Sequence, residues 1–309
     1  MRYNSKILAG LVLLSAIVGS CNNNKNKTAE TDKTENTGNE VAGYDTSFVV
    51  EAESFADLQV LRYQVPGFAG LSLQQKQLAY YLYEAALCGR DIIYDQKSKY
   101  GLLLRKTLDN AYATYKGDTT SADWKKFTEY CGRVWFSNGN HHHYGNEKFI
   151  PACSFDYFSS VVKSCDTSSL PREAGETVQA FLNRINPILY DPDVEPKVVD
   201  QRPDIDNVVA SSVNFYEGVT QKEVDSFYAK FPTEAKQRSW GINSKTMKDN
   251  GKVVEKVWKV GGMYSAAIER IVGWLEKAAG VAENAEQKKK LAEYENAIKI
   301  FDSDFSILN

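Results

Sequence analysis

Histidine is nearly missing from this chain. Only three of its 309 residues are histidine, and they are consecutive, His141-His142-His143. No His-Glu pair exists, so a helix carrying two separated imidazoles around a glutamate cannot be assembled. Cysteine is also sparse. After Cys21 come Cys88, Cys131, Cys153 and Cys165, and no two lie at the short spacing of a zinc site. Cys88 and Cys131 fall in helical apolar patterns, where a thiol packs as a small hydrophobe. Free structural thiols are therefore expected, with a Cys153–Cys165 bridge as the one plausible exception. A Gly-rich phosphate loop, a nucleophile elbow and an internal repeat are all absent. There is no basic excess: the formal charge is -3, and without Arg2 and Lys6 it is about -5, from 35 basic against 40 acidic groups. Nothing in that balance attracts nucleic acid.

The longest apolar run, Ile7 to Val18, is too short for a permanent membrane span. Arg2 and Lys6 precede it and Gly19-Ser20-Cys21 follow, the layout of a secretory leader. Small residues directly before a cysteine fit a bacterial lipoprotein site, with Cys21 acylated and the protein held to a membrane by its lipid; an ordinary signal peptide cut nearby is the alternative. Residues 1–21 are thus read as leader and anchor. Residues 22–43, rich in Asn, Lys, Thr and Glu, form a flexible tether, and 44–309 a globular region. An exported, periplasm-facing location is expected, because the residues after Cys21 are Asn-rich and not acidic. With 43% hydrophobic and 12% aromatic residues, the remaining length can bury a sizeable core.

Helical periodicity dominates. Leu78, Tyr81, Leu82, Ala85 and Cys88 recur on one face of a helix over 73–88, with Ser72 as its cap and Gly89 as its stop. Further helices are expected over 99–115, 121–135, 176–186 (ending before Pro187), 220–231, 263–279 and 282–301. The Lys288-Lys289-Lys290 run belongs to a solvated helix face. Strand alternation marks 56–65 and a hairpin over about 238–260, turned by Asp249-Asn250-Gly251. These strands are expected to share one small sheet, since a lone hairpin is marginal in water. The fold class is α+β: a mostly helical lobe with a small antiparallel sheet or partial β-barrel.

One segment is more specific than any pattern. Trp135-Phe136-Ser137-Asn138-Gly139-Asn140-His141-His142-His143-Tyr144-Gly145-Asn146-Glu147-Lys148-Phe149-Ile150-Pro151 resembles a characteristic stretch of dipeptidyl peptidase III, a zinc metallopeptidase family. The resemblance runs from about Ala56 onward. It includes Val60-Leu61-Arg62-Tyr63-Gln64-Val65-Pro66-Gly67-Phe68, Tyr216-Glu217-Gly218-Val219-Thr220 and the hairpin from Asn243 to Gly261.

This resemblance implies a two-lobed peptidase that removes dipeptides from peptide N-termini, of which residues 44–309 look like the N-terminal lobe. Oligopeptides would be its ligands. Relatives bind zinc through a His-Glu-x-x-x-His helix and a further glutamate, and no such helix occurs here. No cofactor is therefore expected on this chain, and the chain alone is expected to be inactive. Relatives are more than twice as long, and the apolar ending Phe305-Ser306-Ile307-Leu308-Asn309 suggests an interrupted chain; a true terminus folded onto the core is the alternative. Asn138, Gly139, Tyr144, Gly145 and Lys148 are the candidate peptide-contacting residues at the cleft edge, against a tight turn that only stabilises the lobe. If extended, the segment would face His141 and His143 to the same side; with no third ligand nearby, they are read as cleft-lining or structural. Glu84, Arg90, Asp91 and Asp95 are assigned to helix capping and surface pairing. The rival function is a non-catalytic, lipid-anchored peptide-binding or accessory protein; a purely structural envelope lipoprotein is a third.

Overall fold

The structure, a computed structural model, describes residues 45, 47–231 and 243–300. The chain divides after Tyr44, and every described residue lies in the second unit, Asp45–Asn309. The expected leader with Cys21, the expected tether, the first residues of the expected hairpin (238–242) and the Phe305–Asn309 ending lie outside the described residues. Among the described residues no helix is long and apolar enough to cross a membrane.

The fold is α+β. Its main core is helical, built from α3 (Gly101–Thr114), α4 (Ala122–Ser137), α5 (Phe155–Ser164) and α6 (Val178–Tyr190). Leu104, Leu108, Phe127, Val134, Phe158, Phe181 and Ile185 meet there, each almost wholly out of water. Burying side chains of this size contributes about 1.5–3 kcal/mol each before the entropy of ordering is set against it. Polar caps fix the starts of these helices: Ser121, Ser154 and Thr177 each accept a hydrogen bond from the backbone N–H three residues on.

After the short α7 (Asn207–Ala210) and α8 (Gln221–Tyr228), a second layer packs α1 (Leu73–Cys88) on α9 (Ser265–Gly280), and α9 on α10 (Ala285–Ile300). Helix α1 begins in a reciprocal capping box between Ser72 and Gln75. Its expected apolar face is the sheltered one; Tyr81 stacks on Trp274 of α9 with ring centroids 5.9 Å apart.

The strands form two sheets where one was expected. β1 (Glu51–Phe55) and β2 (Leu58–Leu61) make an antiparallel ribbon turned at Ala56-Asp57. β3 (Tyr216–Glu217) runs parallel to β4 (Ser244–Asp249), which pairs antiparallel with β5 (Lys252–Val257). The two sheets stay apart because each is held by helices. Phe55 covers Gly132 of α4, and Asp57 pairs with Arg133 at 2.8 Å. The second sheet is tied to α2 (Arg90–Lys97), where the Asn214 amide accepts from Lys245 Nζ at 2.7 Å and donates to Asp95 at 3.3 Å. No closed barrel forms among the described residues.

One further expectation needs correction. Helix α6 does not stop before Pro187 but runs to Tyr190. Proline removes one backbone hydrogen bond, and burial of Ile188 and Leu189 outweighs that loss. Helix α2 and α5 were not anticipated. Part of the charged cluster lies on α2: Asp91 pairs with Arg105, and Asp95 accepts from the Tyr264 hydroxyl.

Candidate peptide-contacting finger

Helix α4 ends where the special segment begins. Asn138 adopts the left-handed conformation (φ 52) and its N–H returns to the helix, while Gly139 N–H donates to Val134 O at 3.0 Å. Gly139 sits at φ 153, and a Cβ there would lie 3.3 Å from the Lys97 side chain. The chain then folds back on itself. His142 N–H donates to Glu147 O at 2.7 Å, Asn146 N–H to His142 O at 3.1 Å, and Phe149 N–H to Asn140 O at 2.8 Å. The result is a short finger with Tyr144-Gly145 at its tip.

The finger is locked from beneath by residues 188–198. His141 is completely buried, and its Nε2 donates to Glu195 O at 2.7 Å. Burial pushes that imidazole down to about 4, so it is neutral near pH 7. Lys148 N–H donates to Pro196 O and Val198 N–H to Asn146 O. The Lys148 ammonium donates to the carbonyls of Ile188 (3.2 Å), Asp191 and Val194 (2.6 Å). It thereby neutralises the negative end of α6. Glu195, at φ 51, takes a hydrogen bond from Ser98 Oγ at 2.5 Å; desolvation raises its carboxyl above the ordinary range.

The exposed side of the finger is aromatic. Tyr144 is 84% exposed and Phe136 41%. His143 lies edge-on to Phe136 at 5.1 Å and stacks with His142 at 4.6 Å. The Arg133 guanidinium covers Phe149 and is paired with Asp57 and Glu129. Thus the five sequence-derived candidates share one finger but divide in environment. Tyr144 and Gly145 are at the open tip, Asn138 and Gly139 shape its base, and the Lys148 ammonium faces main-chain carbonyls.

His141 and His143 do not face one side of an extended strand as the alternation suggested. The chain turns at the tip, burying the first ring and stacking the third on the second. His141 Nε2 carries a proton toward a carbonyl, and His142 Nδ1 accepts the N–H groups of Tyr144 (3.2 Å) and Gly145 (2.9 Å). Among the described residues no group of three His, Cys, Asp or Glu side chains is placed to hold a metal. All four described cysteines are free, and the Cys153–Cys165 bridge is not formed. Sequence reasoning grouped the three histidines as one feature; the double acceptor role of His142 became visible only with the turn in place.

No family model and no curated protein matches the chain. Two solved structures similar in fold are a dipeptidyl peptidase III from Caldithrix abyssi (18% identity, TM-score 0.48) and one from Corallococcus sp. strain EGB (16% identity, TM-score 0.48). Each comparison covers 77% of this chain and 33% of the other, so the chain spans about a third of the length of these structures.

Proposed function

We propose that residues 44–309 form a peptide-binding lobe of an exported, dipeptidyl peptidase III-like metallopeptidase. The observation that carries this reading is the finger at 138–149. It couples the Asn-Gly-Asn…Tyr-Gly-Asn-Glu-Lys-Phe-Ile-Pro string to a rigid backbone with an uncovered aromatic tip. Rigid display of Tyr144 and His143 favours contact with a ligand side chain, because little entropy is lost on binding.

The leader pattern supports a lipid anchor at Cys21, facing the periplasm. His141 Nε2 and His142 Nδ1 are committed to the main chain, and no hydrolytic step is assigned to the described residues. In the whole enzyme, as in this family generally, zinc chemistry would come from other residues, and this lobe would hold the extended oligopeptide.

The test is a titration of the full chain with pentapeptides, in parallel with an assay for dipeptide release. Saturable binding without hydrolysis is expected. Absence of binding to any pentapeptide overturns the proposal, and a purely structural envelope protein then remains.

A further inference from the structure

His142 has a role in the finger that the triple-histidine pattern hides. Its Nδ1 accepts two backbone N–H groups, from Tyr144 and Gly145, at 3.2 and 2.9 Å. A neutral imidazole that accepts at Nδ1 carries its proton on Nε2. The tautomer and the ring position are therefore both set by the loop. No partner meets that Nε2–H among the described residues, and the half-buried ring stacks beside His143 and the exposed Tyr144.

Other donors near it are engaged. The N–H groups of His142, Asn146 and Phe149 close the finger, and the Lys148 ammonium faces three carbonyls. Arg133 is held by Asp57 and Glu129. A fixed, unpaired N–H next to an aromatic tip matches one kind of ligand: a hydrogen-bond acceptor beside an apolar or flat side chain. An extended peptide offers that pair at each residue. An anionic ligand is less well matched, because among the described residues of the finger the Lys148 and Arg133 cations are already engaged.

We infer that the His142 Nε2–H donates to a main-chain carbonyl of a bound extended peptide, whose neighbouring side chain lies against Tyr144 and Phe136. This rests on the peptide-binding reading above and assigns to it a specific donor. The residue has two uses: Nδ1 shapes the tip and Nε2 reads the ligand.

The two uses can be separated chemically. In His142→Asn the side-chain oxygen can replace Nδ1 as acceptor for Tyr144 and Gly145, while the distal donor is lost. The full chain and this variant are titrated calorimetrically with Ala-Ala-Phe-Ala-Ala. The variant should keep its melting temperature and bind about fivefold more weakly, the value of one neutral hydrogen bond. Equal affinity overturns the inference while leaving the peptide-binding reading in place; no binding by the wild-type chain overturns both. A measurement free of substitution guards against misfolding. In the 15N NMR spectrum of the wild-type imidazole, the Nε2–H resonance of His142 should shift on adding the same peptide. An unmoved resonance at saturating peptide contradicts the assignment.

Discussion

The Nε2 of His141 lies 2.7 Å from the carbonyl oxygen of Glu195, a contact across 54 residues that pins the base of the finger to the loop after α6. His141 is fully buried and neutral, so its protonation is opposed by the folded state.

That opposition gives a signed pH dependence. The folded value is about 4 against an ordinary 6.5, so the unfolded chain binds a proton first as pH falls. Stability from this residue is complete above about pH 6.5 and is lost on descending toward pH 4. The loss is on the order of 3 kcal/mol by linkage. Glu195, raised by desolvation, works in the opposite direction, so the comparison must be made against His141→Gln. Urea unfolding at pH 7 and pH 4.5 should show a larger drop for the wild type than for the variant. Parallel losses would show that His141 titrates normally.

Lys148 is expected to act through stability. Lys148→Met leaves three carbonyls without their cation and removes a charge from the end of α6. A destabilisation of about 2 kcal/mol is expected from lost charge-assisted hydrogen bonds. A variant with unchanged urea midpoint but weakened peptide affinity would instead make the ammonium a ligand contact.

Gly132 should tolerate no side chain while the ribbon stays docked. A Cβ there would lie 2.7 Å from the Phe55 ring. Gly132→Ala is expected to cost about 1–3 kcal/mol through overpacking, or to lift the ribbon off α4. Limited proteolysis between residues 49 and 65 should then be faster than in the wild type; an unchanged digestion pattern and melting temperature would show that the ring moves aside freely.

The turn at Asn250-Gly251 offers a local test. Both residues have positive φ, 48 and 77. Gly251→Ala should therefore destabilise by about 1–2 kcal/mol. Thermal unfolding reads this directly, and a raised melting temperature would mean that the hairpin does not depend on this turn.

These cases also mark what was legible in the sequence. The Ser72–Gln75 box, the 73–88 face and the Asn250-Gly251 turn depend on residues a few positions apart, and local chemistry was enough to read them. β1 was hidden because Glu51 to Ser54 are exposed and show no alternation. Helix α2 was obscured by its charged residues, since the partners of Asp91 (Arg105) and of Asp95 (Asn214 and Tyr264) lie outside the helix. The candidate residues were found as a group, through their resemblance to a family. Their separate environments depend on residues 188–198 lying beneath the finger, and no spacing within 138–149 announces that. The same holds for Pro187, where buried neighbours decide against the helix-breaking rule.

The most direct measurement is a calorimetric titration of Ala-Ala-Phe-Ala-Ala into the full chain and into Tyr144→Ala. Tyr144 is 84% exposed, so its removal should leave the melting temperature unchanged. The expected result is saturable binding by the wild type, weakened at least fivefold in the variant. Equal affinity in both proteins, or no binding by either, would contradict a peptide-contacting role for the finger.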